Sequence, residues 1–558
     1  MIGDTRPPVG RWLGALLFAL GSALLLWRFA VGVGTWGDEP YAVTTAVRFA
    51  LGDRPLIDSW DTNFSSAVMT LPFVKAWLAT VGSADGIILG YRGLQLAVTS
   101  LTAWIGYHAL RAAGATGKTG AAMAALIMAY MPFLSPVVGY GMDCHWHMIA
   151  GFSALLQYHN PPKRRWLQIL PGVASMLGII GNPPTVVVVP FFVVALLLAH
   201  RRDRTGGQRA AILYLAGAGG LGVAFLGVLR LLSGPEMFSM LPQITNPDDH
   251  DFSMRAHLGR LMSSTSILLL PFMLGIAVGV AARLRRYRNA FGVAMLAVSL
   301  SIPASYALFA LGRLTLTALP QALTYTAAVA AIVAGLTAGV RLERGALLLV
   351  LPAAGAGIGW LLGSNAGPHT AMLAAPMALA AVLCTPGESS VEPEPSSTVR
   401  SASLIALAVA VAVPGVLYTP EGTTLSMTTV VKDGPFAGMF GTPQEAADQQ
   451  RMVTALTSLP PIDGRVIFFE RFPLGYLITA EQPATYSTWA TSATSERLQE
   501  YTNRTGNVPE RIVLTRYALD IRDGEFPDGV NLDGFNSEFT RVHADDDFIV
   551  YDRTEIAR

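Results

Sequence analysis

Charge is what this chain has least of. Only 14% of its 558 residues are Asp, Glu, Lys or Arg, where soluble domains carry roughly 25%. That shortage excludes a soluble enzyme with a single anchor and points to a polytopic membrane protein. The mean hydropathy of +0.44 and the 52% hydrophobic share agree. Cysteine is nearly absent. Cys144 and Cys384 lie in or beside apolar runs and form no CxxC pair, which excludes a disulfide framework and a thiolate metal site and leaves buried small hydrophobes. A dominant charge sign is also lacking. The formal net charge is +1, and the basic residues are scattered over short loops, so nucleic-acid binding is excluded as well. The first apolar run, Trp12 to about Val33, has no small-residue cleavage site and is long enough to remain as a permanent first helix.

The near-neutral total hides an asymmetry. From Thr419 to Arg558 there are 12 Lys and Arg against 21 Asp and Glu, whereas the remainder has 27 against 17. A basic-looped membrane region therefore precedes an acidic soluble one. Basic loops mark the cytoplasmic face. Arg111–Lys118, Lys163–Arg165, His200–Arg209, Arg283–Arg288, Arg341–Arg344 and the linker Pro386–Arg400 alternate with basic-poor loops at Gly139–Asp143, Gly181–Pro184, Ser233–Ser263, Gly312–Ala318 and Gly363–His369. Counting back from Leu89–Leu110, which runs inward, the stretch Asn63–Val81 must start and end outside. It carries Pro72 and Lys75 and reads as a juxtamembrane helix on the outer face. Residues 34–86 then form one large external loop with two amphipathic helices, Glu39–Leu51 and about Ser65–Ala79.

The fold class expected is a polytopic α-helical membrane protein of about thirteen spans, followed by a small α/β domain. The spans are 12–33, 89–110, 119–138, 144–159, 166–181, 184–200, 210–232, 264–282, 289–311, 319–340, 345–363, 369–385 and 401–418. The domains are 1–418 in the membrane, with a cytoplasmic linker at 386–400, and 419–558 outside it. Within the latter, Thr442–Leu459 and Ser495–Thr505 have helical periodicity, while Arg465–Glu470, Arg511–Thr515 and Phe548–Tyr551 read as buried strands. Neither a phosphate-binding loop nor a nucleophile elbow occurs there.

Acidic residues gather on the outer face. Asp38-Glu39-Pro40 suits the first turn of a helix, yet two carboxylates beside hydrocarbon mark a functional site by default. Asp53, Asp58 and Asp61 share their loop, Asp143 opens the helix after the next external turn, and Asp248-Asp249-His250 follow the seventh span. Such a group can supply a general base or a divalent-cation site through oxygen ligands. His145 and His147 are two apart and face away from each other on a helix, which argues against a shared ion. Asn365 and His369 lie in an external turn whose backbone N–H groups suit either an anion or an ordinary turn. Trp489, Tyr486 and Phe472 are either carbohydrate-stacking surfaces or core.

Gly37-Asp38-Glu39-Pro40-Tyr41 is similar to the Asp-Glu-x-Tyr signature of the GT-C glycosyltransferases. Asp143 matches their acid at the start of the helix after the second external loop. Trp60-Asp61-Thr62-Asn63 resembles the polar element before the second juxtamembrane helix. The layout also resembles theirs over nearly the whole chain. That superfamily includes protein O-mannosyltransferases, lipid A aminoarabinose transferases and actinobacterial arabinofuranosyltransferases. The resemblance implies a multi-pass enzyme of the plasma (inner) membrane with its active site and C-terminal domain extracytoplasmic. It implies an inverting transfer of a sugar such as arabinose or mannose from a polyprenyl-phosphate-linked donor lipid to a glycan, lipid or protein hydroxyl. Asp38 would be the base, with Glu39 and Asp143 assisting. Tyr41, Asp61, Arg92, His145, Asn365 and His369 would bind substrate. No cofactor is required by this reading, and a divalent cation is an open alternative.

The pattern departs from the superfamily in two places. A Lys-Pro-Pro element after the first-loop acids is replaced by Asn63-Phe64-Ser65-Ser66, and a Lys in the turn after the fifth span by Gly181-Asn182-Pro183-Pro184. The cation for the donor phosphate is therefore sought at Arg92, Lys75, Arg255 or Arg260. Competing functions are a lipid-sugar flippase, expected to show mid-span charges and repeat symmetry, a non-catalytic scaffold, and an O-antigen ligase or polymerase.

Overall fold

Apolar runs of this length leave the backbone no partner but itself, so helix dominates. The computed structural model describes residues 23–34, 38–61, 64–130, 142–240, 265–285, 290–314, 319–339, 343–363, 375–383, 397–419, 422–469, 471–489, 495–515, 539–545 and 547–554. After a helical stretch at 23–30, the membrane region contains α1 (Asp38–Ala50), α2 (Phe64–Val81), α3 (Ile87–Ala112), α4 (Gly117–Tyr130), α5 (Asp143–His159), α6 (Leu170–Gly181), α7 (Val188–Ala199) and α8 (Arg204–Ser233). It continues with α9 (Thr265–Leu284), α10 (Ala290–Ala310), α11 (Leu319–Thr337), α12 (Leu347–Gly363), α13 (Ala375–Leu383) and α14 (Ser397–Leu417). Each expected span thus holds a described helix.

Five described helices are long and apolar enough to cross a membrane: Phe64–Val81, Arg204–Ser233, Gly292–Ala310, Leu319–Thr337 and Arg344–Leu362. Shorter apolar helices occupy Trp166–Gly181, Pro183–Ala199, Leu269–Leu284 and Ala402–Pro414. The chain is a multi-pass membrane protein. Its helices touch at small residues. A side chain at Gly172 of α6 would strike the Tyr214 carbonyl of α8, and one at Gly217 would strike that of Ile169, so these two helices meet backbone to backbone.

Phe64–Val81 meets the length and apolarity of a span, but both its ends rest on the same C-terminal domain. Just before it, Trp60 N–H donates to the Tyr486 carbonyl (2.8 Å). Just after it, Gly86 N–H donates to the Gly434 carbonyl (3.0 Å) and Ile88 N–H to that of Pro435 (3.2 Å). At 1.5 Å per residue this helix is about 27 Å long. Residues flanking both ends of the helix are thus hydrogen-bonded to the same C-terminal region.

The C-terminal region is a mixed sheet with helices. Strands β5 (Arg465–Phe468), β6 (Gln482–Pro483), β7 (Pro509–Thr515), β8 (Phe539–Ala544) and β9 (Phe548–Arg553) follow the two-residue strands β1 (Tyr418–Thr419), β2 (Gly422–Thr423), β3 (Thr429–Val430) and β4 (Phe440–Gly441), and are ordered β6-β5-β7-β9-β8. β5 is parallel to β6 and β7, while β9 is antiparallel to β7 and β8. The apolar runs in β5 and β7 are buried, as expected of central strands covered on both faces. Helix α15 (Pro443–Thr457) starts with a full capping box between Thr442 and Glu445. Helices α16 (Pro473–Thr479) and α17 (Ser495–Thr505) complete the domain.

Candidate functional site

Helix α1 opens with Asp38 and Glu39, and neighbouring positions on a helix point about 100° apart. The structure separates them accordingly: Asp38 is exposed, whereas Glu39 is buried. Glu39 meets Arg92 of α3 in a bidentate pair, Nε to Oε1 at 2.8 Å and Nη2 to Oε2 at 2.6 Å. The remaining Arg92 N–H groups donate to the carbonyls of Phe29, Val31 and Gly32 at 3.2, 2.6 and 3.0 Å. A guanidinium has five N–H groups, and these contacts use all five. The expectation that Arg92 binds the donor phosphate does not fit this geometry, because no N–H is left over. Arg92 instead ties the end of the first helix to the start of α1. Glu39, neutralised by it, is not placed as a free base.

Below Arg92, α3 continues as a buried polar stripe. Gln95, Thr99 and Thr102 are all fully covered and follow Arg92 at i+3, i+7 and i+10, the spacing of one helix face. His145 of α5 reaches this stripe: its Nε2 lies 2.9 Å from Thr99 Oγ1 and 3.4 Å from Gln95 Nε2. His147 points the other way, with Nε2 3.0 Å from Thr185 Oγ1 and its ring packed on Gly178. The two imidazoles do face apart. Asp143, wholly buried at the head of α5, accepts from the Cys144 N–H at 2.7 Å and lies against the Gly181 turn. Gln95 and Thr99 were missed in the sequence, although polar residues at i and i+4 in an apolar run mark a polar face.

Asp61 is the centre of a second junction. It accepts from Tyr41 Oη and Ser59 Oγ, each at 3.1 Å, and closely from Ser487 Oγ of the C-terminal domain. Burial pushes its carboxyl above the usual range, opposed by the Ser487, Tyr41 and Ser59 hydroxyls and by Arg48. The other loop acids hold the same interface. Asp53 bridges Arg48 of α1 (2.5 Å) and Arg465 of β5 (2.7 Å). Arg48 also donates to the Asp58 carbonyl and to Tyr501 Oη. Trp60 stacks on Tyr486 at 5.9 Å and meets Tyr501 edge-on. Tyr486 and Phe472 are core, while Trp489 is half-buried. Sequence reading missed Arg48, Arg465, Ser487 and also Arg28, a buried guanidinium late in the first span, where an ionisable group is functional by default.

Lys75 is exposed on α2. Asn365, His369, Asp248, Asp249, His250, Arg255 and Arg260 lie outside the described residues, as does Cys384. Cys144 is free and buried. Among the described residues no three His, Cys, Asp or Glu side chains converge as a metal site would require.

These features define a multi-pass helical membrane protein. Its first large loop presents Asp38 exposed at the start of α1 and is clamped by buried ion pairs onto a small α/β domain. Among solved structures it is similar to the crystal structure of ArnT from Cupriavidus metallidurans bound to undecaprenyl phosphate, with 98% of each chain covered, 11% identity and a TM-score of 0.48. No family model matches the sequence, and no curated protein matches it.

Proposed function

We propose that the chain is a membrane glycosyltransferase of GT-C type. It moves a sugar from a polyprenyl-phosphate-linked donor to an acceptor hydroxyl at the extracytoplasmic face. The observation that carries this reading is the division of labour in the Asp-Glu pair. Glu39 is consumed by Arg92, and Asp38, one residue earlier, stays exposed at the mouth of the loop. A carboxylate so exposed can take the proton of an incoming hydroxyl. In an inverting displacement the acceptor oxygen attacks the anomeric carbon as the bond to the phosphate oxygen breaks. Asp38 takes the hydroxyl proton, and the polyprenyl phosphate leaves with the electron pair. Arg92 holds the helix that carries Asp38. His145, which borders the polar stripe, and Asp143, buried at the head of the same helix, are assigned to acceptor positioning. Neutralisation of the departing phosphate falls to a cation at this end of the bundle, with Arg28 the first to test.

A flippase is the second reading, favoured by the buried stripe of Arg92, Gln95 and Thr99 within α3. The test is reconstitution of the full chain in nanodiscs with polyprenyl-phosphate-linked arabinose or mannose and an envelope-glycan fraction. Acceptor-dependent release of polyprenyl phosphate supports the transferase. Lipid-sugar movement across proteoliposomes without release supports the flippase.

A further inference from the structure

A closed circuit of four residues places one aromatic ring of the C-terminal domain beside the proposed base. The backbone N–H of Trp489 donates to Ser487 Oγ at 3.1 Å. Ser487 Oγ donates to Asp61 Oδ1, which also accepts from Tyr41 Oη at 3.1 Å. The Tyr41 ring then meets the Trp489 ring edge to face, centroids 5.1 Å apart. Three of the four members are buried, and Trp489 is half-buried. Tyr41 stands three positions after Asp38 on α1, so the two share a helix face with Cβ atoms about 5–6 Å apart. Each link in the circuit fixes the next. The circuit couples the loop and the domain to the helix end that bears Asp38.

We propose that Trp489 is the stacking platform for a sugar ring of a glycan acceptor, so that the C-terminal domain forms one wall of the active site and selects the acceptor. This deepens the transferase reading and rests on it. An indole face offers a broad apolar, electron-rich surface to the C–H face of a pyranose or furanose ring. The other candidate aromatics do not qualify, because Tyr486 and Phe472 are core.

The test uses the labelled full-length protein in nanodiscs over an array of arabinan, mannan and lipopolysaccharide-core fragments. The wild type is expected to bind at least one class. Trp489→Ala is expected to lose that binding at least tenfold with an unchanged thermal midpoint, while Trp489→Phe, which keeps a ring, retains most of it. The proposal is overturned if Trp489→Ala binds within twofold of wild type, or if the wild type binds no glycan. It is equally overturned if both variants lose binding together with thermal stability, which would show a structural role. The transferase reading fails separately, on normal sugar transfer by Asp38→Asn, which the array does not read.

Discussion

Arg92 closes on Glu39 with two parallel hydrogen bonds across 53 residues of chain. The pair is buried, at 3% and 11% side-chain exposure, and its remaining donors fasten the turn that precedes α1. It fixes the position of Asp38 without using it.

Removing one partner of such a pair strands the other charge, which costs about 3–5 kcal/mol. Glu39→Ala and Arg92→Ala are therefore expected to lower the thermal midpoint of the purified protein by a similar, large amount. The double variant Glu39→Gln/Arg92→Leu should recover part of that loss. Differential scanning fluorimetry in detergent checks this, and double-variant losses that simply add would contradict the pairing.

Asp53 answers two arginines, Arg48 and Arg465, with its carboxylate fully covered. Asp53→Ala is expected to loosen the loop from the C-terminal domain, again by about 3–5 kcal/mol. Limited proteolysis should cut this variant between the membrane region and the domain at least tenfold faster than wild type.

Much of the architecture was legible because it is written in local runs. Apolar stretches and alternating basic loops located the helices, and β5, β7 and β9 announced themselves as short apolar strings. Strand β6 is only two residues long, and β8 lies largely exposed at the sheet edge, so neither carries a hydrophobic signal. The site was legible in its acids but not in their pairing. Arg92 read as a cation for the donor phosphate because its partner Glu39 is 53 residues away in sequence. Arg465 reaches Asp53 across 412 residues, and no spacing rule covers that distance. The resemblance already sets Asp38 apart as the base, and tertiary packing adds that Glu39 is paired with Arg92.

The raised carboxyl of Asp61 gives a pH signature. A carboxylate whose folded pKa lies above its unfolded value of 3.8 contributes stability that is complete below the unfolded pKa and is lost as pH rises through the folded one. Asp61→Asn lacks this contribution at every pH. On acidification from pH 7 toward pH 4, the thermal midpoint of the wild type should gain relative to that of Asp61→Asn. A relative loss would contradict the account.

The central claim is that Asp38 is the base. The most direct measurement is acceptor-dependent release of polyprenyl phosphate by Asp38→Asn in nanodiscs, with the thermal midpoint measured alongside. A positioned general base contributes on the order of 10²–10⁴ in rate. The expected result is a fall of kcat in that range with an unchanged midpoint and little change in donor KM. Transfer at the wild-type rate by a folded Asp38→Asn protein would contradict the assignment.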